Sequence, residues 1–298
     1  MKTRLFTVLT LALLSSLDPR LTTCFAQGSL TPPGAPAPTM KTLAQIEPRT
    51  PISSLPWSIV EPGSYYLTGP HNSTNKGITV ASSDVTIDLM GFTINGPQNT
   101  NFPGIHVAGG NDVMRRNVVI RNGGVTRFGV GVLIENAQSG HVRDLLVHQN
   151  TAEGIIIRNN SPGICSDFTV ENCTITDNGG NGIHIDGAGA SGNNRSHTIR
   201  NNKISGNRDY GLNMTFAHGC LIDGNVFGPQ VPATNAYAIR SGSGRNLIVR
   251  NFELGNTNVF GTGFFFISTS DTRGPTINSS GVLSVTNNEV SPWANFTR

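Results

Sequence analysis

The sequence predicts an all-β protein, a right-handed parallel β-helix of about seven to eight coils with a short N-terminal cap. Three observations lead to this fold class. The composition is rich in glycine and apolar residues but poor in charge, two short templates recur at steps of 23 to 29 residues, and the repeats contain no apolar pattern of helical period.

Composition is the first of these observations. The chain has 298 residues, of which 35 are glycine, and it is 37% hydrophobic but only 13% charged. Glycine and asparagine accept the left-handed backbone of tight turns more readily than other residues do. A chain that is rich in both and still this hydrophobic is typical of many short strands joined by turns, and not of disorder.

The first template is a small residue followed by an apolar residue, any residue and a second apolar residue. Because strands alternate their side chains between two faces, the two apolar residues of a copy point to the same side. We expect Ile105, Val132, Ile155, Ile183 and Leu212 to form one inward stack. The copies are Gly77–Val80, Gly104–Val107, Gly131–Ile134, Gly154–Ile157, Gly182–Ile185, Gly211–Met214, Ala236–Ile239 and Gly263–Phe266.

The second template alternates with the first and marks a turn. An apolar residue is followed by any residue and then by Asn, Asp or Gly, with another apolar residue three positions further on. Asn, Asp and Gly are the residues that best accept left-handed backbone. The predicted turn residues are Gly91, Asn122, Asp144, Asn172, Asn201, Gly224 and Asn251.

Stacking explains why such repeats fold. A single coil cannot bury its own apolar face, whereas stacked coils place each apolar residue above its equivalent in the next coil. Connections between parallel strands are right-handed in nearly all proteins, which favours a right-handed solenoid. The run of a leucine-rich repeat and the strict six-residue period of a left-handed β-helix are both missing from the sequence.

The chain divides into four predicted regions. Residues 1–26 are typical of a secretory signal peptide, with Lys2 and Arg4 before an apolar run and a cleavage site before Gln27, so we expect a secreted protein. Cys24 lies in a weak match to a lipid-attachment motif. Residues 27–39 form a Pro-rich linker, residues 40–62 an N-terminal cap, and residues 63–298 the parallel β-helix with its C-terminal cap.

Three segments carry a resemblance to a known group. MKTLAQIEPRTPI at 40–52, PGSYYLTG at 62–69 and GITVASSDVTIDLMGFTI at 77–94 resemble secreted bacterial right-handed parallel β-helix repeat proteins of the pectate-lyase-like superfold. The resemblance covers nearly all of the chain after residue 26. It implies the fold but no particular activity, because most members of that group have none assigned. The paired acids and GHG of polygalacturonase-like enzymes and the DPHE of epimerase-like enzymes are absent.

Charge and cysteine content exclude several partners. Without residues 1–26 the chain keeps 18 Lys and Arg against 17 Asp and Glu, and it has no basic run, so we expect no nucleic-acid binding. No apolar stretch is long enough to span a membrane. Cys165, Cys173 and Cys220 allow at most one disulfide, and no Cys or His pair has zinc spacing. We expect no cofactor, with calcium open if the protein is a lyase.

The templates also place outward-facing residues in columns along the rod. One predicted column contains Glu135, Arg158, Asp186, Thr215 and Arg240, and the next contains His106, Leu133, Ile156, His184, Asn213 and Ala238. An acid, a cation and a titratable imidazole within reach of one another suit acid/base chemistry on a polysaccharide. His184, Asp186 and Arg158 are the predicted catalytic residues, and Glu135 and Arg240 the predicted substrate-binding residues, with no metal site.

A competing interpretation is that these charges only stabilise the sheet and keep it soluble. Opposite charges on neighbouring strands stabilise each other by up to about 1 kcal/mol. A third predicted column shows the same mixture, with Met90, Arg121, Arg143, Glu171, Arg200, Asp223 and Arg250. Two function classes therefore stay open: an extracellular glycan-binding or structural module, or a lyase, hydrolase or epimerase that acts on acidic polysaccharide.

Overall fold

The computed structural model describes residues 48–98, 101–110, 112–160, 162–187, 193–231, 238–241 and 245–254, and the backbone of four short strands beyond them. The predicted signal peptide, linker and beginning of the cap, residues 1–47, lie outside the described residues. None of the described residues belongs to a helix that is long and apolar enough to cross a membrane.

The described residues form two sheets in which every recorded strand pair is parallel. The nine-stranded sheet contains β2 (Trp57–Ile59), β5 (Ile78–Val80), β8 (Ile105–Ala108), β11 (Val132–Glu135), β13 (Ile155–Arg158), β16 (Ile183–Asp186), β20 (Leu212–Thr215), β24 (Ile239–Ser241) and β27 (Phe265–Phe266).

The remaining strands form a 21-stranded sheet that bends at a turn in each coil. They are β1 (Thr50–Ile52), β3 (Gly63–Leu67), β4 (His71–Asn72), β6 (Val85–Asp88), β7 (Thr93–Asn95), β9 (Arg115–Arg116), β10 (Val118–Thr126), β12 (Ala137–His148), β14 (Cys165–Glu171), β15 (Thr174–Thr176), β17 (Asn194–Arg195), β18 (Thr198–Arg200), β19 (Lys203–Ser205), β21 (Ala217–His218), β22 (Leu221–Asp223), β23 (Val226–Phe227), β25 (Leu247–Val249), β26 (Phe252–Glu253), β28 (Thr272–Arg273), β29 (Thr276–Ile277) and β30 (Asn295–Thr297).

The architecture is the predicted right-handed parallel β-helix. It has about six turns, so the predicted seven to eight coils overstate the number slightly. The difference arises at the ends, because complete coils run from the strand that begins at Ile78 to the strand that begins at Ile239. The first strands of both sheets, β1 and β2, lie inside the range 40–62 that the sequence assigns to the cap.

The core is the inward stack of the first template. Ile105, Val132, Ile155, Ile183 and Leu212 pair in register from strand to strand, and each has a relative exposure of 0%. This prediction is confirmed. The side chains fill the lumen of the solenoid, where close packing makes every position sensitive to a change of volume or polarity.

The turns of the second template are confirmed at six of the seven predicted positions. Gly91, Asn122, Asp144, Asn172, Asn201 and Gly224 all have positive φ, between 54° and 78°. The last copy is wrong by one residue, because Ile222 pairs with Ile248 and the positive φ falls on Arg250. Asn251 therefore leaves the turn and points into the solenoid, where it is fully buried.

Two ladders of buried amide side chains run along the axis just inside the corners. In one, the side-chain amide nitrogens of Asn150, Asn178 and Asn207 each donate to the side-chain oxygen of the next coil, at 2.9 to 3.2 Å, and the ladder ends on Gln230. In the other, Asn202, Asn225 and Asn251 are linked in the same way. These side chains satisfy backbone groups that the turns would otherwise leave unpaired in the interior.

Candidate functional site

The outward side of the nine-stranded sheet carries three of the predicted site residues in one row. Glu135 pairs with Arg158, Arg158 with Asp186, and Asp186 with Thr215 on successive strands. His184 lies in the neighbouring column, in register with Ile156 and Asn213. The structure therefore brings together the predicted residues His184, Asp186, Arg158 and Glu135 on one face, roughly one strand spacing of 4.8 Å apart.

Arg240 is a correction to the predicted row. It pairs with Asn213 and not with Thr215, so it belongs to the column of His184. The reason is that Ala238, and not Ala236, occupies the small-residue position: the Leu212 N–H donates to the Ala238 carbonyl at 2.8 Å. Ala238 is accordingly buried and does not follow Asn213 in the outward column.

Glu135 is the centre of a closed cluster. His106 Nε2 lies 2.5 Å from one carboxylate oxygen, and Arg158 donates to the other from Nε at 2.7 Å, with the Asn160 amide at 3.3 Å. The hydrogen bond from His106 lowers the pKa of Glu135 most, Arg158 lowers it further, and burial opposes both, which leaves the pKa at about 2. Glu135 is thus a fixed anion whose oxygens are already engaged, and it holds Arg158 in place.

His184 is the centre of a second cluster. Its Nε2 lies 2.9 Å from Thr215 Oγ1, and the Thr215 hydroxyl lies 3.4 Å from Asp186 Oδ1. Its Nδ1 faces Glu153 Oε1 at 3.9 Å. Asp186 therefore reaches His184 through Thr215, and not by the direct contact expected from their shared strand.

The protonation of His184 follows from this environment. Burial lowers its pKa, and the positive charges of Arg240 and Arg158 act in the same direction, while Asp186 and Glu153 oppose them. The neutral ring can donate from Nε2–H to Thr215 Oγ1, which leaves the lone pair of Nδ1 on the side of Glu153. Burial thus favours the neutral ring, whose unprotonated nitrogen is an acceptor for a proton or a hydrogen bond of a ligand.

The sequence templates did not predict the column of residues along the edge of the face opposite Thr215 and Asp186. Glu153, Asn181 and Tyr210 each precede the small residue of a first-template copy, and their carbonyls accept in register from the preceding coil. Asn181 Nδ2 donates to Glu153 Oε1 at 3.4 Å. Arg240 lies over the Tyr210 ring at 5.4 Å and donates to Asn213 Oδ1 at 3.1 Å. The template itself contained the signal, since this column is defined by the position before the glycine.

The two clusters are joined by an apolar floor. Leu133 and Ile156 occupy the column of His106 and His184, and each is only 7% exposed. The face thus presents polar groups along both edges, with a low apolar strip between the two histidines. Among the described residues, no group of three or more His, Cys, Asp or Glu side chains could hold a metal ion.

The third predicted charged column needs two corrections. Asp88, and not Met90, pairs with Arg121, and Val249, and not Arg250, pairs with Asp223. Ion pairs cross between coils at Asp88–Arg121 (3.0 Å) and Glu171–Arg200 (2.5 Å), and Arg250 contacts Asp223. Here the structure supports the interpretation that mixed charges stabilise the sheet.

The fold and this face define the class of protein: a parallel β-solenoid with a polar strip on one sheet. The chain belongs to the family described as the right-handed β-helix region, whose model matches residues 71–227. Among curated protein sequences, none matches this chain significantly.

Solved structures with similar folds are distant in sequence. ORF18 of Geobacillus virus E2 is 17% identical with a TM-score of 0.54, over 70% of this chain and 43% of that one. The Agl-KA catalytic domain is 15% identical with a TM-score of 0.51, over 81% and 43%. The enzymatically active domain of tailspike protein 2 from bacteriophage CBA120 is 14% identical with a TM-score of 0.48, over 83% and 47%. The chain spans less than half the length of these proteins, and the first two likenesses show the fold alone.

Proposed function

We propose that this protein is a secreted glycan-binding module, and that the sugar chain lies on the outward face of the nine-stranded sheet. The observation that supports the proposal is the strip in which His184 stands between Glu153 on one edge and Thr215 with Asp186 on the other. We name this strip the sheet face, defined by Glu153, Arg158, His184, Asp186, Thr215 and Arg240.

The chemistry of the sheet face suits a sugar. Hydroxyl-rich ligands are bound by neighbouring donors and acceptors, which the carboxylates, the imidazole and the threonine hydroxyl supply. Parallel strands repeat these groups at one spacing along the axis, which suits a linear polymer. Because the strands are rigid, little conformational entropy is lost when the ligand binds.

Arg158 gives the sheet face a preference for acidic sugars. Its side chain is 36% exposed although two of its nitrogens bind Glu135. A planar guanidinium held in this way can offer its remaining donors to a carboxylate of the ligand. In this proposal Glu135 acts by positioning Arg158, and Arg240, stacked on Tyr210, contacts the ligand further along the axis.

The test is a glycan array with the purified protein and three variants. Arg158→Ala and Asp186→Ala should each weaken binding roughly tenfold, which corresponds to about 1.4 kcal/mol. Arg200→Ala is the matched control, because Arg200 also binds a neighbouring glutamate through Nε at 2.8 Å but lies on the other sheet. Binding that survives in full in both sheet-face variants, or that is lost equally in the control, would refute the proposal.

One observation favours a second function, a carbohydrate-active enzyme. The orientation of His184 leaves Nδ1 beside the Glu153 carboxyl group, a pairing that suits proton transfer to and from a sugar. Acidic polysaccharides are incubated with the protein, with and without calcium, and new double bonds and reducing ends are measured. Activity that His184→Gln abolishes while binding persists would establish the enzyme, and equal activity in that variant would exclude His184 from the reaction.

A further inference from the structure

A groove lies outside the sheet face, at the corner where the 21-stranded sheet leads into the nine-stranded sheet. Its lining includes Gln98, Arg127, Gln149, Asp177, Asn178 and Arg208. We name it the corner groove. It shares no residue with the sheet face, so it requires its own explanation.

The sequence builds the corner groove from one repeated backbone position. Arg127, Gln149, Asp177 and Gly206 follow strands that pair in register, and all four have positive φ, between 54° and 67°. Equivalent side chains therefore stand one strand spacing apart along the axis.

The floor beneath this column is fixed by the buried amide ladder. Asn150 and Asn178 line the groove, and their side chains hydrogen-bond along the axis at 2.9 Å to the next coil. Buried, fully satisfied polar networks are rigid. The corner groove is therefore a preformed site, and a ligand does not have to order it.

The two arginines of the corner groove differ from the arginines that cross-link coils of the 21-stranded sheet. Arg121, Arg200 and Arg250 each form an ion pair with an acid of a neighbouring coil. Arg127 and Arg208 are exposed and form no ion pair with any residue that the structure describes. Two guanidinium groups are thus left to bind an external anion.

The spacing of the two arginines decides the shape of that anion. The coils of Arg127 and Arg208 are three strand spacings apart, or about 14 Å. A single carboxylate cannot contact both, whereas an extended chain laid along the axis can. Between them stand Gln149 and Asp177, and the Asp177 carboxylate repels an anion but accepts hydrogen bonds from hydroxyl groups.

We propose that the corner groove binds an acidic glycan in which acidic sugars are separated by neutral ones. Arg127 and Arg208 bind carboxylates of the acidic sugars, and Gln149 and Asp177 bind hydroxyl groups of the neutral sugars between them. This inference extends the proposed function to a second surface, and it rests on different residues.

Calorimetric titration tests the inference with three probes: hyaluronan oligosaccharides, which alternate an acidic and a neutral sugar, polygalacturonate, in which every sugar is acidic, and neutral dextran. We expect the protein to prefer hyaluronan. The double variant Arg127→Gln/Arg208→Gln should lose at least about tenfold in hyaluronan affinity. Arg116→Gln is the control, because it removes an exposed arginine from another surface.

Asp177→Asn separates the inference from a general charge effect. Without the carboxylate, polygalacturonate should bind several-fold more tightly, while hyaluronan changes little. Asp186→Ala should weaken only the sheet-face site, and the double variant only the corner-groove site. The number of sites fitted in the titration therefore distinguishes failure of the sheet face from failure of the corner groove. No hyaluronan binding, equal binding by the double variant, or an equal loss in Arg116→Gln would overturn the proposal.

Discussion

Acid should weaken this solenoid through one buried histidine. His197 is fully buried; its Nδ1 accepts from the Phe168 N–H at 3.2 Å, and its Nε2 lies 2.6 Å from the Asn194 side-chain oxygen. Burial lowers its pKa to about 4, which the charge of Asp167 only partly opposes. The folded protein therefore keeps this ring neutral well below the pH at which the unfolded chain protonates it.

The sign and the magnitude follow from linkage. Between about pH 6.5 and about pH 4 the unfolded state binds the extra proton, so stability is full above this window and falls as the pH drops through it. The total loss from His197 is on the order of 3 kcal/mol. The lowered pKa of His184 acts in the same direction, so a variant is needed to isolate His197.

His197→Asn is that variant. In the equivalent place two coils on, Asn246 accepts from the Cys220 N–H at 2.9 Å, so the asparagine introduced by this substitution can keep an acceptor for Phe168 without titrating. Urea unfolding is measured from about pH 8 to about pH 4.5, with exposed His141→Asn as the control. We expect the variant to be less stable at neutral pH but to lose less on acidification. A pH slope equal to that of the parent protein would refute the reasoning.

Three further predictions concern the coil. Ile183→Asp should lower the free energy of unfolding by more than about 4 kcal/mol and unfold the central coils, because it buries a charge without a partner. Thermal melts followed by circular dichroism measure the loss of stability. Asn201→Val should lower the free energy of unfolding by about 1 to 2 kcal/mol, because Asn201 has a left-handed φ of 54° that valine disfavours, whereas Asn201→Gly should not lower it. Equal melting temperatures of the parent protein and both variants would contradict this prediction. Asn178→Leu should lower the free energy of unfolding, measured in urea, by about 2 to 6 kcal/mol, since two donors of Asn150 lose their acceptor. An unchanged free energy of unfolding would mean that water replaces the lost acceptor.

The fold was predictable because three independent sequence signals in each repeat predict the same strand positions. The small residue fixes where a strand begins, the apolar pair fixes which face is buried, and Asn, Asp or Gly fixes the turn. Coils in which all three signals are present, such as the one from Gly154 to Asn181, have the predicted register.

The predicted register was wrong where the sequence offers more than one candidate residue for the same template position. Ala236 and Ala238 both offer a small residue, and a shift of two keeps every side chain on the same face, so the pattern cannot choose between them. Backbone hydrogen bonding chooses Ala238. Leu247, Ile248 and Val249 offer a continuous apolar run, and only burial distinguishes them, with Leu247 43% exposed and Ile248 fully buried.

The site was predictable as a row but not as a set of contacts. The period of two placed Arg158, Asp186 and His184 on one face. It could not show that Thr215 lies between His184 and Asp186, because that depends on side-chain rotamers across coils. Glu153 was overlooked because it belongs to a corner, whose length varies between coils, although its carboxylate faces the imidazole.

Carboxyl labelling with and without glycan tests the central claim most directly. A carbodiimide modifies exposed Asp and Glu side chains, and mass spectrometry measures the extent of modification at each residue. With a glycan that the array identifies, we expect protection of Glu153 and Asp186 and unchanged labelling of Asp144, which is exposed on a turn of the other sheet. Equal labelling of Glu153 and Asp186 with and without saturating glycan would contradict the assignment of the sheet face as the binding site.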